Sequence, residues 1–259
     1  MADADSVVIT GGARGIGFAT ARSFAAAGAK VTIIDRDGEA ASCAATRIAG
    51  ETGARTLAIG ADITDRAAVH DARERAVARF GTPAVFVNSA AVVDSKTFLE
   101  SGPNDWNKII SVCLFGAMNC MHEFIPPMIA AGKGRVVMLA SDSAKLGQAR
   151  LSYYAAAKAG VIALAKSVAQ EIGASGVTIN VVSPGATDTE LRQEREAQIL
   201  AQVGPEKYRK RTAAVLRLYP LRRIGKPDDI VAAIRFLASE EAGWITGQVL
   251  SVNGGFTMA

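Results

Sequence analysis

Metal-binding and redox side chains are scarce in this chain. Its 259 residues include two histidines, His70 and His122, and three cysteines, Cys43, Cys113 and Cys120. Two imidazoles do not make a histidine-rich metal centre. The thiols show neither metal spacing nor a redox pair, so they are expected as small buried hydrophobes. No stretch approaches the roughly 20 continuous apolar residues that span a bilayer, and no membrane partner is expected. The opening MADADSVVIT carries acids where a secretory leader needs bases, which points to a cytoplasmic protein. Charge of one sign is also weak. A net +4 is too small to argue for nucleic acid. Its placement says more, because Arg192 to Arg223 holds nine Lys/Arg against three Glu.

What is present is apolar residues, 49% of the chain, arranged in a repeating order. SVVIT (6–10), VTIID (31–35), TLAIG (56–60), VFVN (85–88), RVVML (135–139), VTINVV (177–182) and QVLSV (248–252) read as strands. Most are apolar throughout, as expected for strands covered on both faces. Helical patterns fall at about 15–28, 38–52, 66–80, 104–131, 152–174 and 227–238, with breakers such as Gly28, Gly53, Gly81 and Gly176 at the junctions. Repeated β-α-β implies a doubly wound parallel sheet of seven strands with helices on both faces. No linker divides residues 1–259, so a single domain is expected. The stretch 184–225 reads as irregular, too long for an ordinary connection, and long loops in compact domains often serve as lids.

TGGARGIG (10–17) directly follows the first strand and opens the first helix. Gly11, Gly15 and Gly17 permit a sharp turn and close backbone approach to a pyrophosphate, which the helix N-terminus then receives. The spacing is G-x-x-x-G-x-G. Asp35 ends the second strand about 20 residues on, where a carboxylate accepts from ribose hydroxyls and repels a 2′-phosphate. That favours NAD over NADP, although Arg14 and Arg36 are each placed to reach such a phosphate. Asp62 ends the third strand's GADIT, suited to an adenine edge or to capping the next helix.

SYYAAAK (152–158) offers two tyrosines and one lysine. Residues four apart share a helix face, so Tyr154 is the partner of Lys158. Tyr153 lies about 140° round the axis and is expected to pack or line a pocket. A phenol with a pKa near 10 must be tuned toward 7 to exchange protons near neutrality, at a cost of roughly 4 kcal/mol. One cation at about 4 Å in an effective dielectric of about 20 supplies that order of energy. Ser141 ends RVVMLAS at the carboxyl edge of the sheet, where its hydroxyl can meet a substrate oxygen beside Tyr154. Ser143 is the rival, further into the loop.

With these motifs in hand, the chain resembles the short-chain dehydrogenases/reductases over essentially its whole length. The resemblance rests on TGGARGIG, ADITD, VNSAA, Ser141 with Tyr154-x-x-x-Lys158, SPGATDT (183–189) and WITGQVLSVNGG (244–255). It implies a seven-stranded Rossmann sheet, a homotetramer, and hydride transfer between a nicotinamide and a carbinol or ketone. Tyr154 becomes the acid/base. Lys158 binds the nicotinamide ribose and lowers the tyrosine's pKa, and Ser141 orients the substrate oxygen. Gly11, Arg14, Gly15, Ile16, Gly17, Asp35, Arg36, Asp62, Ile63, Asn88, Ala90, Pro184, Gly185, Thr187 and Thr189 join the Tyr154–Lys158 pair along the cofactor cleft. Two departures stand out. WNKIISVC puts Cys113 where the family usually has an Asn that holds a relay water, and VNSAA replaces the usual N-N-A-G.

Residues 190–217 fall where the family keeps its substrate lid. EKYRKR (206–211) carries four positive charges, suited to a solvated helix face or to an anionic handle such as a CoA phosphate. LASDSAK, SPGATDT and GQVLSVNGGFTM are similar to dehydrogenases of alicyclic 2-hydroxyacyl-CoA thioesters. Three readings follow: an NAD-linked alcohol or hydroxyacyl dehydrogenase, an NADP-linked reductase of the 3-oxoacyl carrier-protein type, and a nonenzymatic cofactor-binding protein, the last supported by Cys113 alone.

Overall fold

The computed structural model describes residues 5–258. Seven strands form one all-parallel sheet: β1 Ser6–Thr10, β2 Lys30–Asp35, β3 Thr56–Gly60, β4 Val85–Asn88, β5 Gly134–Leu139, β6 Val177–Pro184 and β7 Val249–Val252. Their order across the sheet is β3-β2-β1-β4-β5-β6-β7. The chain reverses its direction of travel between β1 and β4, which opens a crevice at the strands' carboxyl ends. Every residue of β1, β4 and β6 is buried, as their unbroken apolar runs anticipate.

Ten helices connect or flank the strands: α1 Gly15–Ala26, α2 Gly38–Thr52, α3 Arg66–Phe80, α4 Pro103–Ile110, α5 Gly116–Ala130, α6 Ser143–Leu146, α7 Ser152–Ile172, α8 Glu190–Val203, α9 Pro205–Arg217 and α10 Pro227–Leu237. Helices α1, α2 and α10 cover one face of the sheet through Phe24, Ile48 and Ile234. Helices α3, α5 and α7 cover the other through Val69, Phe124 and Val161. Phe124 stacks on Phe86 with ring centroids 4.9 Å apart, and both are fully buried. Truncating either to Ala should cost about 3–5 kcal/mol.

Two expectations change. The helical run expected at 104–131 is present as Pro103–Ala130, but it is not α-helical throughout, because a π-helical turn at Ser111–Phe115 lies between α4 and α5. The combined run Pro103–Ala130 is long and apolar enough to cross a bilayer by length and composition alone. Here it is a core helix, with Cys120, Met121, Phe124 and Met128 packed on the sheet. The stretch 184–225 is not irregular either, since α8 and α9 occupy most of it. Neither helix has a fully buried residue, and their apolar positions, such as Leu191 and Ile199 on α8 or Tyr208, Val215 and Leu216 on α9, are only half-buried.

Candidate active site

One cleft of about 400 Å³ runs along the carboxyl ends of the strands. At one end is the glycine turn. Gly11 adopts φ +64, and an added Cβ there would meet the Ala90 backbone at 2.6 Å. Only glycine fits such a position. Helix α1 opens without a side-chain cap and without an acid in its first turn. By contrast, Asp37, Asp65 and Thr189 cap α2, α3 and α8. The uncapped α1 N–H groups and positive dipole end suit a pyrophosphate, so the residues present fit a dinucleotide.

Gly11, Arg14, Gly15 and Ile16 line the cleft, as do Asp35, Arg36, Asp62, Ile63 and Ala90. Asp35 accepts from the Ala13 and Asp37 N–H groups, each at 3.2 Å, so it also ties the glycine turn to the end of β2. Arg14 pairs through its Nη1 with Glu194 at 2.7 Å. Arg36 has no such partner among the described residues. Asp62 does not cap α3. It closes a turn by accepting from Thr64 N and Oγ1 at 2.9 and 2.8 Å, and Asp65 does the capping.

Two of the residues expected on the cleft stand behind its wall. Gly17 packs inside the turn, where a Cβ would meet the Gly11 carbonyl oxygen at 2.1 Å. Its hydrogen shapes the loop and does not face a ligand. Asn88 is buried, its Oδ1 accepting from Thr10 Oγ1 at 2.7 Å and its Nδ2 unpartnered. The following residues, Ser89, Ala90 and Ala91, form the wall in its place.

Further along, Ser141, Tyr154 and Lys158 line the same cleft. Ser141 follows β5, and Ser143 donates to its Oγ at 2.9 Å from the first turn of α6. The rival serine therefore orients Ser141. Helix α7 presents Tyr154 and Lys158 from one face. Lys158 is buried, its Nζ donating to the Leu139 carbonyl at 2.7 Å and lying 5.9 Å from the Tyr154 ring centroid. Tyr153 turns away to pack with Ile109, Cys113 and Ala157, and its hydroxyl donates to Asp94.

The groups around Tyr154 act on its phenol in both directions. Burial pushes its phenol well above the ordinary range, and Cys113 pushes the same way. A hydrogen bond with Ser141 and the charge of Arg195 pull it down by less. Burial also lowers the Lys158 ammonium's pKa. The lysine sits beside the ring, bound to a backbone carbonyl, and is not among the groups that lower the phenol. Cys113 occupies the π turn, fully buried, and its thiol donates to the Val92 carbonyl at 3.3 Å. The π turn thus forms with Cys113 in place of the usual Asn.

Pro184, Gly185, Thr187 and Thr189 carry the wall from β6 to α8. Beyond them α8, α9 and the residues after them add Arg211, from the basic 206–211 stretch, and residues that the sequence reading did not single out: Arg192, Arg195, Glu196, Val215, Leu218, Tyr219 and Phe256. Tyr219 stacks on Phe256 at 5.0 Å and accepts from the Ala186 N–H at 3.1 Å. The available signal was the i, i+3 spacing of Arg192 and Arg195 within the basic stretch, which puts both on one helix face.

A dinucleotide turn sharing one cleft with a Ser-Tyr-Lys trio defines a nicotinamide-dependent oxidoreductase of secondary alcohols and ketones. The comparisons with known proteins agree. A family model described as enoyl-(acyl carrier protein) reductase matches residues 11–257. The cis-4-hydroxycyclohexanecarboxylate dehydrogenase of Sinomonas cyclohexanicum is 37% identical over 251 residues, covering 96% of this chain and 95% of its own. The 3-oxoacyl-[acyl-carrier-protein] reductase of Chlamydia trachomatis is 32% identical over 250 residues, covering 96% of each. The crystal structure of levodione reductase superposes with a TM-score of 0.90 at 31% identity, covering 97% of this chain and 96% of that one. The chain belongs to the short-chain dehydrogenase/reductase family.

Proposed function

We propose that this protein is an NAD-linked dehydrogenase of a compact ring-bearing secondary alcohol, interconverting it with its ketone. The observation that carries the reading is one cleft lined both by Asp35 with the glycine turn and by Ser141, Tyr154 and Lys158. When bound, the nicotinamide cofactor supplies the hydride acceptor or donor. Asp35 would receive ribose hydroxyls, and Lys158, fixed on the Leu139 carbonyl, would hold the second ribose. Ser141 and Tyr154 take the substrate oxygen between them. With its pKa raised, Tyr154 is protonated at neutral pH, the form that donates to a ketone oxygen; in the reverse direction it receives the carbinol proton. The presence of all three residues weighs against a nonenzymatic role.

The alicyclic substrate draws on the likeness to the hydroxycyclohexanecarboxylate dehydrogenase and on the apolar wall of Val92, Val215 and Leu218. A CoA thioester draws on Glu206–Arg211. Within that stretch Lys210 pairs with Glu206 and Arg211 with Glu196, and only Arg211 lines the cleft. We therefore place the reacting group on a free ring alcohol and keep the thioester as a comparison. A second reading, an NADP-linked reductase of 3-oxoacyl carrier-protein type, is favoured by Arg36 on the cleft and by the reductase relatives. We place the protein in the cytoplasm as a homotetramer. Exposed Phe115 and Met118 beside α5, and Leu250 on edge strand β7, supply apolar contact surface.

Fluorescence titration with NADH and NADPH, followed by assays over ring ketones, tests the reading. Tighter NADH binding and turnover of a ring ketone are expected. Tighter NADPH binding would mean that Arg36 outweighs Asp35.

A further inference from the structure

We infer that Arg195 is the receptor for a carboxylate on the substrate, so that this cleft takes a small apolar hydroxy- or oxo-carboxylic acid. The proposal rests on the dehydrogenase reading above and narrows it.

Three arginines of the lid line the cleft: Arg192, Arg195 and Arg211. Two of them share one carboxylate. Glu196 receives Arg192 Nη2 on Oε1 at 3.3 Å and Arg211 Nη1 on Oε2 at 2.7 Å. The neighbouring Tyr208 helps Arg211 and Arg192 hold the Glu196 carboxyl below its usual range. Glu194 is taken by Arg14. Glu190, the other lid carboxylate on the cleft, lies against Gly15 in the glycine turn. Arg195 has neither a hydrogen bond nor an ion pair among the described residues, and its Nε is buried without a partner. Buried polar groups in folded proteins are almost always bonded, and an orphan calls for an explanation.

The setting supplies one. Arg195 acts on Tyr154 electrostatically across the cleft. Burial disfavours its charge, yet a guanidinium is not deprotonated in proteins. It is therefore a permanent cation with a fork of free donors, near the group that handles the carbinol proton. The planar fork matches a carboxylate in bidentate geometry. The walls of Val92, Val93, Leu151, Val215, Leu218 and Phe256 would take an apolar body between the two polar ends. One unpaired guanidinium suits a monoanion better than the several phosphate charges of a coenzyme A.

The test compares 4-oxocyclohexanecarboxylate with its methyl ester, using NADH and the wild-type, Arg195→Met and Arg195→Lys proteins. A charge-assisted hydrogen bond is worth about 10- to 100-fold in kcat/KM. The wild-type should prefer the acid by that factor, Arg195→Met should bring the acid/ester ratio close to one, and Arg195→Lys should keep part of it. The ratio cancels any effect of the cation on Tyr154, which both substrates share. Calorimetry with cyclohexanecarboxylate against its amide gives the same comparison without turnover. NADH titration shows whether each variant keeps its cofactor cleft, and Arg195→Lys carries the test if Arg195→Met does not fold. A wild-type ratio near one, a ratio unmoved by Arg195→Met, or an equal loss of NADH affinity would overturn the proposal. Preference for the CoA thioester over the free acid would overturn it too. Failure to reduce ketones of either kind while NADH binds would instead remove the dehydrogenase reading beneath it.

Discussion

Cys113→Asn puts the family's usual residue back into the π turn. The structure says what it would meet. Cys113 is fully buried among Ile109, Tyr153 and Ala157, and its one polar contact is the Val92 carbonyl at 3.3 Å. An Asn brings two N–H donors and one acceptor. Val92 can take one N–H, and the apolar neighbours offer nothing to the rest. Leaving buried polar atoms unmade costs about 1–3 kcal/mol. For a chain this size that is a fall in Tm of about 2–12 °C. Cys113→Ser keeps a donor for Val92 and should lose less. Thermal melts, NADH titration and steady-state kinetics on both variants form the assay. The expected result is a lower Tm for Cys113→Asn with kcat unchanged or reduced. A Tm at or above wild-type with kcat raised several-fold would refute the reasoning. It would mean that the amide finds partners near Lys158 and that the thiol had slowed proton movement.

Tyr154→Phe should cut kcat by about 10²–10⁴-fold with little change in Tm. Tyr153→Phe should do the reverse, because it strands Asp94 at a cost of about 1–3 kcal/mol in stability but touches no reacting atom; equal kinetic damage from the two would reject the assignment. Asp35→Ala should weaken NADH binding about 10- to 100-fold and shift preference toward NADPH, and an unchanged NADH/NADPH ratio would show that Asp35 serves only the Ala13 and Asp37 N–H groups. The Arg223 guanidinium, which donates twice to Asp229, holds that carboxyl at about 2. Its folded value lies below the unfolded one, so the stabilisation is complete above about pH 4 and is lost as pH falls through about 2. NMR titration of Arg223→Met should find the Asp229 pKa moved up toward 3.9, with under about 1 kcal/mol lost at neutral pH because the pair is partly exposed.

The sheet was legible because its strands are buried on both faces, and that condition writes a run such as VFVN or VTINVV with no polar alternation to misread. Helices α1, α2, α3, α7 and α10 were legible because each lays an apolar stripe on the sheet and stops at a breaker. Ser141, Tyr154 and Lys158 followed from helical spacing and from the carboxyl-edge rule, both local. What the sequence hid depends on three-dimensional partners. Nothing local says that Asn88 turns to Thr10 and leaves the cleft wall to Ser89 and Ala90. Nothing local says that burial raises the Tyr154 phenol or that Lys158 binds the Leu139 carbonyl. The π turn was hidden for a related reason: the apolar pattern of 104–131 runs straight through it, and the pattern records which side is buried, not how many residues make each turn.

The lid differs from the sheet in kind. Helices α8 and α9 bury no residue, and they are tied down by Arg14–Glu194, Arg192–Glu196 and Arg211–Glu196. Arg14–Glu194 is an exposed pair, worth about 0–1 kcal/mol, whereas Glu196, which receives both Arg192 and Arg211, is largely buried. The shallow burial of α8 and α9 left only a weak face of half-buried positions in the sequence, such as Tyr208, Val215 and Leu216 on α9. The lid's arginines are then divided by what they do. Arg192 and Arg211 hold the lid together through Glu196, and Arg14 fastens it to the glycine turn through Glu194. Of the cleft-lining arginines of α8 and α9, Arg195 has no hydrogen bond or ion pair among the described residues, though the Glu196 charge favours its own, so a substrate anion that engaged it would leave the Arg192–Glu196 and Arg211–Glu196 pairs in place.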